Sequence, residues 1–235
     1  MLAADTALDR LADEVRARLA RARRIVALTG EGLDATDAGA ACGTAAPLPF
    51  FEDPVAVWRR HDAYRAQLAP VQPGPAHRAL AALERTTDHF TLVTESIEGL
   101  HRVAGSRRVH ELRGNLWEVR CTRCGLRSVN REIPIPNPPS CPICTGLVRP
   151  GILWRGEHLP QELLIRCFEA LSACEVLIVA GTSCSAHPVG RFAEVARRAG
   201  AYIVEIAAVP PAAEISIDAR LTGPPHEIFP RVVAA

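Results

Sequence analysis

Cysteines at 121, 124, 141 and 144 form two C-x-x-C pairs, and this quartet constrains the folding of the chain more tightly than any other feature. Two intervening residues let both thiolates of a pair point at one ion from a tight turn. A second such turn completes a tetrahedron with Zn–S bonds of roughly 2.3 Å. Segment 121–148 carries prolines and polar residues with little apolar periodicity, so it needs a staple to fold. Cys121, Cys124, Cys141 and Cys144 are therefore read as ligands of a structural zinc ion, with unmetallated thiols or a redox pair as the alternatives. Four protein ligands leave no open position at which water could be activated. Cys42, Cys167, Cys174 and Cys184 are scattered. That usage fits a reducing compartment, where paired cysteines mean metal more often than disulfides.

The sequence on either side of this segment reads as α/β. "IVAL" (25–28) is a short apolar run suited to a buried parallel strand, and it enters the turn "TGEG". "FTLVT" (90–94), "VHEL" (109–112), "EVLIVAGTS" (175–183) and "AYIVEIA" (201–207) add further strands. Leu8, Leu11, Val15 and Leu19 recur at helical spacing, with Asp5 or Thr6 available as N-cap. Helices are expected over 51–69, over 75–85 with Pro75 in the first turn, and over about 188–199. Residues 33–50 read as a long loop, and the tail after Val209 shows one short apolar piece near Ile228. The expectation is an α/β protein: a Rossmann-like parallel sheet forming a large domain (1–120 and 149–235), interrupted by a small zinc-ribbon module (121–148).

The formal net charge of +1 gives no bulk attraction to nucleic acid or to an acidic membrane. No apolar run approaches the roughly 20 residues of a membrane span. The N-terminus mixes acids and bases without an apolar h-region, so a cytoplasmic protein is expected.

Two turns follow buried strands. Gly30, Gly32 and Ala35 match the loose dinucleotide fingerprint G-x-G-x-x-A, which by itself is equally a tight strand-to-helix turn. Gly181, Thr182 and Ser183 make the second turn. Together they point to a nucleotide crevice at the carboxyl ends of parallel strands.

The pieces "ALTGEG", "IEGLHRVAGS", "ELRGNL" with the cysteine quartet, "RPGILWRGEHLP", "AGTSCSAHP" and "AYIVEI" occur in one order from about Arg24 to Ile206. In them the chain resembles the sirtuins, NAD-dependent protein lysine deacylases. The resemblance implies a Rossmann-like large domain, a small zinc module, and a cleft between them for NAD and an acylated lysine of a protein or peptide. It also implies an asparagine and an aspartate at the nicotinamide end and a histidine acting as base on the ribose.

At those positions this sequence differs. Arg113 stands where the family has its catalytic histidine. "TESIEG" places Glu95, Ser96 and Glu98 where Gln, Asn and Asp are usual, and "GEGLD" places Glu31 and Asp34 where Ala and Ser are usual. Arg155 replaces a phenylalanine and Ala207 an asparagine. His61 and Tyr64 occupy the positions of the tyrosine and arginine of the succinyl- and malonyl-preferring branch, so that acyl specificity does not transfer.

An arginine stays protonated below pH 12 and cannot act as general base near neutrality. Losing a placed base costs on the order of 10²- to 10⁴-fold in rate. Two carboxylates beside a pyrophosphate would repel it by roughly 4 kcal/mol at 4 Å and a dielectric of 20. Alternatively Glu31 and Asp34 point outward, Asp34 caps a helix, or Arg113 and Arg155 neutralise the acids of the cleft. The expected site is thus Gly30, Glu31, Gly32, Asp34, Glu95, Ser96, Glu98, Gly181, Thr182 and Ser183 around the cofactor, with Arg113 in the catalytic position. A sirtuin-like protein with reduced deacylation is the leading expectation. The others are a weak deacylase or ADP-ribosyltransferase that uses NAD, and a protein using the cleft for another small molecule.

Overall fold

The structure, a computed structural model, describes residues 2–33, 50–136, 138–154, 156–182, 188–209 and 216–233. Asp34, Arg155, Ser183 and nearly all of the 33–50 loop lie outside them.

Helix α1 (Leu2–Arg21) leads into β1 (Arg24–Thr29), followed by one 3-10 turn over Glu31–Leu33. Helices α2 (Pro54–Leu68) and α3 (Pro75–Thr86) precede β2 (His89–Thr94), α4 (Leu100–Val103) and β3 (Val109–Glu111). Three strands follow: β4 (Gly114–Cys121), β5 (Arg127–Val129) and β6 (Val148–Ile152). The chain then runs through α5 (Gln161–Ala173), β7 (Val176–Ala180), α6 (Phe192–Arg198), β8 (Tyr202–Ala207), β9 (Ala219–Thr222) and α7 (Pro225–Val232).

Six strands form one parallel sheet in the order β3-β2-β1-β7-β8-β9. The chain builds outward in both directions from the adjacent pair β1 and β7. Their carboxyl ends are therefore the switch point, where an open α/β sheet leaves a crevice. Strand alternation divides the core between the two faces of this sheet. Ile25, Ala27, Val176 and Ile178 pack with Leu19, Leu80 and Phe229 on the side of α1, α3 and α7. Val26, Leu28, Leu177 and Val179 pack with Cys167, Leu171 and Phe192 on the side of α5 and α6. Burial on both faces explains why these strands read as unbroken apolar runs.

The second sheet is antiparallel, in the order β5-β4-β6. It extends from Gly114 to Ile152, beyond the cysteine segment at both ends. On one face Val119, Cys121 and Val148 pack against Val57 and Trp58 of α2. The Trp58 indole donates to the Val148 carbonyl at 2.8 Å, which ties the helix to the sheet.

Several elements differ from the sequence reading. Helix α1 starts at Leu2, ahead of the start expected at Asp5 or Thr6. The helix expected over 188–199 is divided into a 3-10 turn at Val189–Arg191, which follows Pro188, and the short α6. Helix α5 and the tail elements β9 and α7 are additions. Among the described residues no helix is long and apolar enough to cross a membrane.

His61 of α2 lies buried beside the sheet, edge-on to Trp58, and its Nε2–H donates to the Leu116 carbonyl at 3.1 Å. Burial, and secondarily Arg65, pushes its pKa from the ordinary 6.5 to about 4, against the opposing effect of the Leu116 hydrogen bond. The unfolded chain thus takes up a proton near pH 6.5 that the folded chain accepts only near pH 4. The stability involved is complete above pH 6.5 and is lost as pH falls through that window, amounting to about 3 kcal/mol. Denaturant titrations at stepped pH should show this loss in the wild type and a flatter profile in His61→Leu. An unchanged slope in the variant rules the assignment out.

Candidate active site and metal centre

The two glycine turns meet at the switch point. The Gly30 N–H donates to the Ala180 carbonyl at 3.2 Å, and the Gly32 N–H donates to the Gly181 carbonyl at 2.9 Å. A Cβ on Gly30 would stand 2.5 Å from the Gly181 oxygen. One on Gly181, whose φ is +63°, would stand 2.4 Å from the Leu33 nitrogen. Backbone packs on backbone here, so these positions admit only glycine. The result is a close main-chain junction at the carboxyl ends of β1 and β7, the place where open α/β sheets bind dinucleotides.

Glu95 leaves the end of β2, its own N–H donating to the Thr29 carbonyl at 2.9 Å. Its carboxylate is held on both oxygens. Thr182 donates its hydroxyl to Oε2 at 2.6 Å, and Arg113 Nη2 lies 3.4 Å from Oε1. The Glu95 side chain is 13% exposed and that of Arg113 33%, so the pair sits at the mouth of the crevice, partly screened by solvent. The Arg113 backbone is fixed by Leu153, whose N–H donates to the Arg113 carbonyl at 2.8 Å. Three predicted positions from three strand ends, Glu95, Arg113 and Thr182, thus form one network. Glu31 lies half-buried in the 3-10 turn.

Ser96 and Glu98 are buried. The Ser96 N–H donates to Thr94 Oγ1 at 3.1 Å. Burial raises the Glu98 pKa, and hydrogen bonds to backbone and to Ser96, together with the electrostatic effect of His77, offset part of the rise. His77 and His101 stack with ring centroids 4.6 Å apart, and His101 Nε2 lies 3.0 Å from Thr29 Oγ1. Burial first, then His77, holds His101 well below its ordinary pKa, so the ring is neutral. The acids expected in the cleft therefore separate: Glu95 meets Arg113, while Glu98 joins a buried polar layer with the two histidines. That layer escaped the sequence reading. Its signal was His77 within the apolar stripe Ala76, Ala79, Leu80 and Leu83 of α3.

The four cysteines of the small module converge. Their Sγ atoms all lie within 4.8 Å of one another, with Cys121 and Cys144 at 3.5 Å and Cys124 and Cys141 at 3.7 Å. A tetrahedral Zn–S₄ centre demands S···S separations of about 3.8 Å. The two knuckles share one design. Thr145 and Gly125 both adopt positive φ, and each donates its N–H to the carbonyl of the first cysteine of its pair. Cys121 Sγ accepts from the Arg123 N–H at 3.3 Å, which favours the thiolate. The donor set and its spacing fit zinc.

A parallel α/β sheet with glycine turns at its switch point and a four-cysteine module beside it defines a dinucleotide-crevice protein with a structural metal ribbon. The Sir2 family model matches residues 41–188, and the chain belongs to the Sir2 family. It is 40% identical over 163 residues to an NAD-dependent protein deacylase of Aquifex aeolicus, covering 69% of this chain and 68% of that protein. It is 36% identical to NAD-dependent protein deacylase 1 of Pseudomonas aeruginosa, covering 92% and 95%. A crystal structure of a Sir2 homolog–NAD complex superposes with a TM-score of 0.85 at 32% identity, covering 94% of this chain and 92% of that one. Sir2Af2 bound to a myristoylated histone peptide matches with a TM-score of 0.74 at 29% identity, covering 94% and 95%.

Proposed function

We propose that the crevice binds NAD but that histidine-driven deacylation has been lost or greatly reduced. The observation that carries this is the network Arg113–Glu95–Thr182, in which a permanent cation occupies the base position and is tied to a carboxylate. The close-packed glycine turns stand at the carboxyl ends of β1 and β7, where an open α/β sheet takes a dinucleotide, and this placement supports the reading. When bound, NAD supplies an activated glycosidic carbon with nicotinamide as leaving group. Glu95 and Thr182 would face its ribose, with Ser96 and Glu98 beneath the nicotinamide end. The charge of Glu95 is balanced by Arg113, which removes part of the repulsion that a free acid would exert on a pyrophosphate. A guanidinium in this position offers no general base to a hydroxyl near neutral pH. The substrate of the retained cleft would be an acylated lysine in a protein or peptide. Zinc at the four cysteines is structural, and residues 121–148 form the ribbon inserted into the large domain made of 1–120 and 149–235.

The test is paired. Calorimetry should detect NAD or ADP-ribose binding to the wild type. An acyl-lysine peptide assay should show Arg113→His deacylating at least about 100-fold faster than wild type. Wild-type turnover that Arg113→His leaves unchanged refutes the lost-base reading. Nicotinamide release without deacylation would favour ADP-ribosyl transfer instead.

A further inference from the structure

A second cleft, of about 720 Å³, lies away from the glycine turns, between the open face of the small sheet, the β3 edge and helix α5. Among the described residues lining it are five arginines and four glutamates. The register of the small sheet places three of the arginines side by side: Arg120 of β4 stands opposite Arg127 of β5 and opposite Arg149 of β6. Like charges directly across a ladder oppose one another and destabilise the sheet. A row of three is therefore costly unless something negative sits on it.

Two members of the row have internal partners. Arg149 makes a bidentate pair with Glu157 at 2.7 and 2.9 Å and stacks on Trp154 with 3.8 Å to the ring centroid, so it is fixed. Arg127 reaches Glu118 at 3.4 Å in an exposed pair. The central residue, Arg120, is exposed and makes no hydrogen bond or ion pair among the described residues. Its charge is felt by Glu157, which Arg149 already holds. From the facing wall, Arg166 is held loosely by Glu162 at 3.9 Å, with both side chains well exposed. His110, half-buried in the same cleft, is held below its ordinary pKa by burial first, then by Arg166 and Arg102, as expected in a field of positive sign.

We propose that this cleft is a binding site for a phosphate-bearing small anion, centred on Arg120 and assisted by Arg127 and Arg166. The guanidinium fork matches phosphate oxygens in pairs, and such charge-assisted bonds are the strong ones. The volume falls in the small-ligand range of about 300–1,000 Å³. An anion on Arg120 would also relieve the repulsion within the row. The site is independent of the dinucleotide crevice, and neither reading depends on the other.

The test uses inorganic pyrophosphate titrated calorimetrically into the intact protein at low salt, and the cleft's share of the binding is read from the difference between wild type and Arg120→Gln. Binding in the submillimolar range is expected, weakened at least tenfold in Arg120→Gln. Arg120 is exposed and unpartnered, so this variant should fold. Arg10→Gln on the exposed face of α1 removes the same unit of charge far from the cleft and should leave the affinity within twofold. Absence of binding, equal weakening in the two variants, or undiminished binding in Arg120→Gln would each overturn the proposal.

Discussion

Stripping zinc, by chelation or by Cys141→Ser, should collapse the small module while leaving the six-stranded sheet folded. Structural zinc in isolated fingers contributes an apparent 10–16 kcal/mol at pH 7, as much as a whole domain's margin of about 5–15 kcal/mol. The module has little else. Strand β5 is exposed throughout, and the apolar residues of the module gather only on the face beneath α2. The large sheet keeps two separate cores, neither of which includes a cysteine ligand. All three tryptophans report on the module: Trp58 packs in its core, Trp117 lies on β4, and Trp154 packs against its edge. The expected result is a red shift of tryptophan emission and loss of near-ultraviolet dichroism, with most helical dichroism retained. Bound zinc should fall from about one ion per chain to below a tenth of that. Unaltered tryptophan signals after the metal is shown to be gone would remove zinc from the account.

That experiment bears on the part of the molecule most legible in the sequence. A Cys₄ site is written as a spacing, and geometry follows from the spacing with little tertiary help. Strands β1, β7 and β8 were legible for a similar reason, since burial on both faces leaves an unbroken apolar run. Strand β6 reads "VRPGI", and its proline and glycine argue against a strand. The glycine is required because a Cβ at Gly151 would stand 2.6 Å from Glu118 Cβ across the ladder. Strand β9 spans only four residues and alternates too briefly to register. Helix α5 did carry a signal, with Leu163, Leu164, Cys167 and Leu171 at helical spacing toward the sheet.

The site divides along the same line. The glycine turns are local and were readable. The direction of Glu95 was not, because it is decided by Arg113, 18 residues later, and Thr182, 87 residues later. Differences from the family pattern that look like two independent losses, an acid for a neutral amide and an arginine for a histidine, become one ion pair once the strand ends are brought together. A single replacement at either position leaves the other charge unmatched at the crevice mouth. The pair should therefore be coupled in a double-mutant cycle.

The same strand ends make Gly181→Ala a severely damaging single methyl. Two costs combine there. Alanine at φ +63° enters the left-handed region, at about 1–2 kcal/mol. Its Cβ would also press on main chain, 2.4 Å from the Leu33 nitrogen and 2.5 Å from the Gly32 carbonyl carbon. Backbone cannot rotate away as a side chain can, so overpacking adds about 1–3 kcal/mol. Gly200→Ala separates the two costs: its φ is +84°, but no atom lies within 4 Å of the added Cβ. The expected losses are roughly 1–2 kcal/mol for Gly200→Ala and roughly 3–5 kcal/mol for Gly181→Ala. At this chain length, the larger loss lowers the melting temperature by about 6–20 °C. Gly181→Ala should also weaken ADP-ribose binding, because the turn can relieve the contact only by moving away from Gly32. Gly200→Ala should leave that affinity unchanged. Equal destabilisation by the two alanines would mean that the close approach of the two turns contributes nothing.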